Sequence, residues 1–143
     1  MCSTRSPSRK APAIKGRAII VSHGQPSDPA PAEAVLAGVA AQVAKALPDW
    51  QVESATLANP DALDRAFGST GPGAAIYPLF MTEGWFTGEN LRKRLGAAPG
   101  ARVLRPLGVS PELPALAADL LGAEIARAGW RAAETRLFVA GHG

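Results

Sequence analysis

The chain has 143 residues, of which 47% are hydrophobic and 19% charged, and its mean hydropathy is +0.05. That balance suits one globular domain with a buried core and excludes a disordered, collagen-like or coiled-coil chain. A single cysteine, Cys2, excludes an internal disulfide framework and a cysteine-built zinc cage.

The net charge of +3 and a pI near 9.5 would suggest nucleic acid as a partner, but the charge is unevenly placed. Arg5, Arg9, Lys10 and Lys15 lie in residues 1–16 with no acid among them. Setting these four aside leaves 11 basic residues against 12 acids, so the body of the chain is near neutral. Residues 1–16, rich in Ser, Pro, Arg and Lys, read as a disordered basic tail; a mis-assigned start or a weak targeting segment are the alternatives. No apolar stretch reaches the roughly 18 residues of a membrane span. The default setting is therefore cytoplasmic and reducing, with neither membrane nor nucleic acid as partner.

From Arg17 onward, apolar runs alternate with amphipathic segments. Ala18–Ser22 (AIIVS) is a short β-branched run with the character of a buried strand, and it stops at His23-Gly24. A Pro-rich loop leads to Pro31, which suits the first turn of a helix. Leu36, Val39, Val43 and Leu47 then recur at helical spacing up to Pro48. Trp50–Leu57 predicts a second strand, and Asn59-Pro60-Asp61 a helix start, with Asn59 as N-cap and Pro60 in the first helical position. Leu63 and Phe67 fall on one face of that helix, and Gly71–Gly73 punctuates it. Ala74–Phe80 (AAIYPLF) predicts a third strand, Met81–Gly88 a loop, and Glu89–Leu95 a short helix stopped by Gly96. Arg102–Leu107 predicts a fourth strand. Pro111–Ala128 predicts the longest helix, with Leu113, Leu116, Leu120 and Ile125 inward and Gly129 at its end. Arg136–Ala140 begins a fifth strand. This alternation specifies an α/β fold, a parallel sheet of about four to five strands with helices on both faces.

Ligands of such sheets bind beyond the carboxyl ends of the strands. Three loops qualify: the one at His23, Met81–Gly88, and Gly108–Pro111. His23 can hold a metal, accept a proton near neutral pH, or simply hydrogen-bond to a neighbouring loop. In the second loop, Trp85 and Phe86 can stack on a flat ligand or cap the core, and Glu83 can act as ligand or proton acceptor. Arg92, Lys93, Arg94, Arg102 and Arg105 form the basic cluster outside the tail; part of it compensates a helix dipole, and it would also attract a polyanionic small molecule. Neither the dinucleotide fingerprint nor the P-loop spacing follows the first strand, which disfavours a nucleotide ligand.

The string Ala18-Ile19-Ile20-Val21-Ser22-His23-Gly24 is echoed by Leu137-Phe138-Val139-Ala140-Gly141-His142-Gly143. The echo suggests that residues 135–143 are the first strand of a second, truncated repeat, following a domain over 17–134.

The AIIVSHG segment, the YPLF strand with its Gly-containing loop, and RPLGVSPELPALAADLL together resemble the sirohydrochlorin chelatases, from about Arg17 to Ala128. The resemblance implies a chelatase-like fold with flavodoxin-like layering. It also implies insertion of Co²⁺ or Fe²⁺, as co-substrate, into a carboxylate-rich tetrapyrrole of cobalamin or siroheme synthesis, with no organic cofactor. His23 then corresponds to the family's first metal histidine and proton acceptor, and Met81, Thr82, Glu83, Gly84, Trp85 and Phe86 to the segment lining the macrocycle site. Three further family positions depart: the second metal histidine is Phe86, the following acid is Asn90, and the glutamate near the end of the second strand is Thr56 or a neighbour. The expectation is an incomplete or degenerate half of such an enzyme, completed by a homodimer or by a missing C-terminal half. The alternative is a non-catalytic tetrapyrrole- or metal-binding module of the same fold.

Overall fold

The computed structural model describes residues 14–59, 61–95 and 100–140. Most of the basic tail, Cys2, Pro60, Gly96 and the His142-Gly143 echo lie outside the described residues. Two compact units are present, one ending at Val109 and the other beginning at Ser110.

The first unit is built on four parallel strands, β1 (Gly16–Ser22), β2 (Trp50–Thr56), β3 (Ala75–Pro78) and β4 (Arg102–Val103), in the order β2-β1-β3-β4. Ile20 of β1 stands opposite Ser54 of β2 and Tyr77 of β3. Side chains alternate across a strand, so β1 feeds two cores. Ile19 and Val21 join Ala55, Ile76 and Leu63 on one face; Ile20 joins Leu36 and Ala40 on the other. Both faces being covered explains why β1 is a continuous apolar run and not an alternating one.

Helix α1 (Pro29–Ala46) covers one face through Leu36 and Ala40, with Val39 and Val43 beside them. It begins two residues before the expected Pro31 because Pro29 already supplies a preset φ at the first turn. Leu47 is not part of the inward stripe: it terminates the helix, its N–H donating to Val43 O, and is exposed. Helix α2 (Ala62–Thr70) covers the opposite face with Ala62, Leu63 and Ala66. It starts later than expected. Asn59 does not cap it directly but closes the preceding turn, its Oδ1 accepting from Asp61 N (3.2 Å) and its carbonyl from Ala62 N (3.2 Å). Gly71 ends α2 at φ +74°, as its position predicts.

After β3 the chain does not pass straight from loop to α-helix. A π-helical turn spans Phe86–Asn90, with Asn90 N donating to Trp85 O (3.0 Å), and runs into α3 (Leu91–Arg94). Leu91 is fully buried on the α2 face. Strand β4 has only two residues where Arg102–Leu107 was expected. Leu104 N still reaches Ile76 O (2.9 Å), but Pro106 has no N–H to continue the ladder.

In the second unit, helix α4 (Leu113–Arg127) ends near Gly129, at φ +68°. Its expected inward stripe is not buried: Leu116 and Leu120 are 51% and 60% exposed, and no residue of the helix is buried. The strand expected at Arg136–Ala140 is not formed either. Residues 135–140 have no strand partner among the described residues, and an unpaired apolar run has no ladder to hold it extended. Among the described residues the sheet has four strands, at the low end of the expected number.

Candidate functional site

The strand order fixes where a ligand can sit. From β1 the chain crosses outward to β2, and from β3 it crosses the other way to β4. The carboxyl ends of adjacent strands β1 and β3 thus form the switch point of the sheet, where the two exits diverge and leave a crevice. His23 follows β1 directly, and Met81–Phe86 follows β3 within a few residues. The fold brings these two sequence-predicted segments to neighbouring strand ends.

The β1 exit is held rigidly. Ser22 O accepts from Leu57 N and His23 O accepts from Ala58 N, both at 2.9 Å, so the exits of β1 and β2 are zipped together. Gly24 turns the chain away at φ +75°, with no room for a side chain against Thr56 and Ala58. His23 is exposed, and its Nδ1 lies 3.0 Å from Gly24 O. A carbonyl can only accept, so in this contact Nδ1 is the donor.

Thr56, at the carboxyl end of β2, is fully buried, and its hydroxyl donates to Glu33 Oε1 of α1 at 3.3 Å. Where the resemblance implies a glutamate on β2, a carboxylate is thus delivered from the first turns of α1. Sequence reasoning missed Glu33; its only signal was its place on α1, one helical turn before the inward Leu36. A groove of about 500 Å³ opens beside the β1 exit, lined by Ser22, Gly24, Gln25, Pro31, Val35 and Leu79 among others.

The β3 exit is exposed and partly apolar: Met81 is 64% and Trp85 59% exposed. Its base is nevertheless fixed. Gly84 N donates to Thr87 Oγ1 (2.9 Å), which in turn donates to Gly84 O (3.1 Å). Gly108 lies so close behind this segment that a Cβ there would clash with the Met81 carbonyl, so this glycine buttresses the Met81 backbone. Glu83 pairs with Arg105 (3.4 Å), both largely exposed. Asn90, at the implied acid position, has its buried Oδ1 without a hydrogen-bond partner. Of the basic cluster, Arg94 is structural, its Nη1 donating to Leu57 O at 3.1 Å.

Among the described residues, no three His, Cys, Asp or Glu side chains gather as a metal-ion site would require. His23 is the sole histidine there, and one imidazole is a weak hold on a divalent ion.

Solved structures similar to this chain include CbiX, described as the terminal enzyme for biosynthesis of siroheme in denitrifying bacteria. It is 44% identical with a TM-score of 0.68, and the match covers 81% of this chain and 50% of that one. A putative cobalamin (vitamin B12) biosynthesis CbiX protein from Marinobacter aquaeolei VT8 shares the fold, at 20% identity and a TM-score of 0.57 over 78% of this chain and 98% of that one. The chain therefore spans half the length of the first of these structures. No protein-family model and no curated protein sequence matches it.

Proposed function

The chain belongs to the sirohydrochlorin chelatase family, and on that premise we propose that it binds a carboxylate-rich tetrapyrrole of siroheme or cobalamin synthesis over the carboxyl ends of β1 and β3. The observation that carries this reading is the strand order, which sets His23 and the Met81–Phe86 segment at the two exits flanking the switch point. Trp85 and Met81 offer exposed apolar surface suited to a flat macrocycle. No helix among the described residues is long and apolar enough to cross a membrane.

Metal insertion needs two events at the ring: the ion must shed water while held beside the macrocycle, and two pyrrole N–H protons must leave. A single imidazole nitrogen has one lone pair, so at any instant it can ligate the ion or accept a proton, but not both. A second donor is needed, and the family positions that would supply it are Phe86, Asn90 and Thr56 or a neighbour. In this reading the divalent metal, Co²⁺ or Fe²⁺, is a co-substrate, and no organic cofactor takes part. The chain acts as a degenerate half: it holds the tetrapyrrole, while efficient insertion requires donors from a second half or from another copy in a homodimer.

Mixing the protein with sirohydrochlorin and then with Co²⁺ tests this by absorption spectroscopy. The expected result is a shift on binding sirohydrochlorin, followed by cobalt insertion no faster than in buffer. Rapid insertion abolished by His23→Ala would overturn the degenerate-half reading and leave a working chelatase. Absence of any shift with sirohydrochlorin would overturn tetrapyrrole binding itself.

A further inference from the structure

A second recess lies at the exit of β4, on the α2 side of the sheet, where Val103 packs near Leu91 of α3 in the same core. It has a volume of about 280 Å³ and is walled by Gly84 and Gly88, by Arg92 of α3, and by Arg105 with its partner Glu83. The two glycines present bare backbone, and a Cβ on either would meet nothing within 4 Å, so the mouth is open. The wall is preformed: the Thr87 hydroxyl, in a residue only 8% exposed, pins Gly84 through both its N–H and its carbonyl.

The charges of this recess do not balance. Arg105 Nε lies 3.4 Å from Glu83 Oε1, with side-chain exposures of 74% and 61%, a weakly held and easily exchanged pair. Among the described residues no carboxylate stands within ion-pair distance of Arg92. The recess therefore presents two guanidinium groups against one carboxylate. Compensation of a helix dipole accounts for basic residues in the last turn of α3, but not for Arg105, which arrives from a different element. Nor does structural tethering account for Arg92, since Arg94 performs that role through Leu57 O.

We propose that this recess is a subsite for an acid side chain of the ligand, with Arg92 as its resident cation and Arg105 recruited when the incoming carboxylate displaces Glu83. Glu83 is then an internal competitor: it keeps Arg105 oriented toward the recess and yields only to a ligand whose acid groups bind more than one cation. Guanidinium suits the task, because its planar fork matches a carboxylate with two parallel hydrogen bonds. The placement fits a macrocycle centred on the switch point. β4 stands two strands from β1, about 10 Å across the sheet. That is comparable to the reach from a tetrapyrrole's nitrogens to its peripheral acids. The proposal rests on the tetrapyrrole reading above and assigns the residues that select for an acidic one.

Metal-free uroporphyrin, with acid groups on every pyrrole, and its fully esterified form separate the two ideas in a fluorescence titration of the whole chain. Arg92→Ala and Arg105→Ala should each weaken uroporphyrin binding about fivefold at low salt, and Glu83→Gln should tighten it by a similar factor. Arg102→Ala, an exposed member of the same basic cluster, should change affinity less than twofold, and none of the three arginine variants should alter binding of the ester. Equal losses for Arg102→Ala and Arg92→Ala would overturn the subsite in favour of a diffuse field. Unchanged binding in both Arg92→Ala and Arg105→Ala, or no tightening in Glu83→Gln, would overturn it as well, with tetrapyrrole binding intact. A wild-type chain that binds neither porphyrin would overturn the tetrapyrrole reading and this subsite together.

Discussion

A Cβ placed on Gly24 would stand 2.6 Å from the Cβ of Thr56 and 2.9 Å from its hydroxyl oxygen. The turn that carries His23 away from β1 is thus pressed against the last residue of β2, and the backbone bonds from Leu57 and Ala58 hold it there. The candidate ligand owes its position to its neighbour's lack of a side chain.

Gly24→Ala should therefore be costly on two counts. A positive φ disfavours alanine by about 1 kcal/mol, and the clash with Thr56 and Ala58 adds roughly 1–3 kcal/mol as backbone is displaced. Urea denaturation should show a loss of about 2 kcal/mol or more. A loss below about 0.5 kcal/mol would mean that the turn does not pack as described.

Thr56→Val removes the hydroxyl that donates to Glu33 at nearly constant volume. The half-buried Glu33 carboxylate then loses a donor, which should destabilise the chain by about 1–2 kcal/mol, whereas Thr56→Ser should retain most of the stability. Equal stability of the two variants, measured by thermal unfolding, would remove the hydrogen bond from the account.

Asn90 offers the opposite case. Its Oδ1 is buried and unpartnered, so the amide bears a desolvation cost without a compensating bond. Asn90→Leu, of similar shape, should leave stability unchanged or raise it by about 1 kcal/mol. A loss greater than about 1 kcal/mol in chemical denaturation would show that the amide is satisfied in solution.

The positions implied by the family resemblance give a gain-of-function test. Phe86→His combined with Asn90→Asp adds two donors to His23 and should tighten Co²⁺ binding by at least about tenfold in calorimetry. Adding His23→Ala to that pair should reverse the gain. A tightening that survives loss of His23 would place the new site elsewhere.

Much of the fold was legible because it is written in local pattern. AIIVS and AAIYPLF read as strands since each is buried on both faces, and glycine at 71 marks a helix end that only a residue tolerant of positive φ supplies. Element limits moved where proline chemistry competed: Pro29 took the helix start from Pro31, and Pro106 cut β4 short. The strand expected at Arg136–Ala140 is absent among the described residues for a different reason. Strand pairing belongs to a neighbouring strand, and an apolar run records the need for one without providing it.

The same division runs through the site. His23 and Met81–Phe86 could be placed at strand exits from sequence because such exits are recognisable, and the rule that ligands gather there makes them candidates. The sequence by itself determined which residue types reach those exits, including the phenylalanine and asparagine at positions where the family resemblance implies a histidine and an acid. Only the tertiary structure decided that β1 and β3 are neighbours, that a carboxylate from α1 reaches the end of β2, and that Arg92 and Arg105 share one recess. These are contacts between residues far apart along the chain. They arise from how the layers stack, and no local period encodes them.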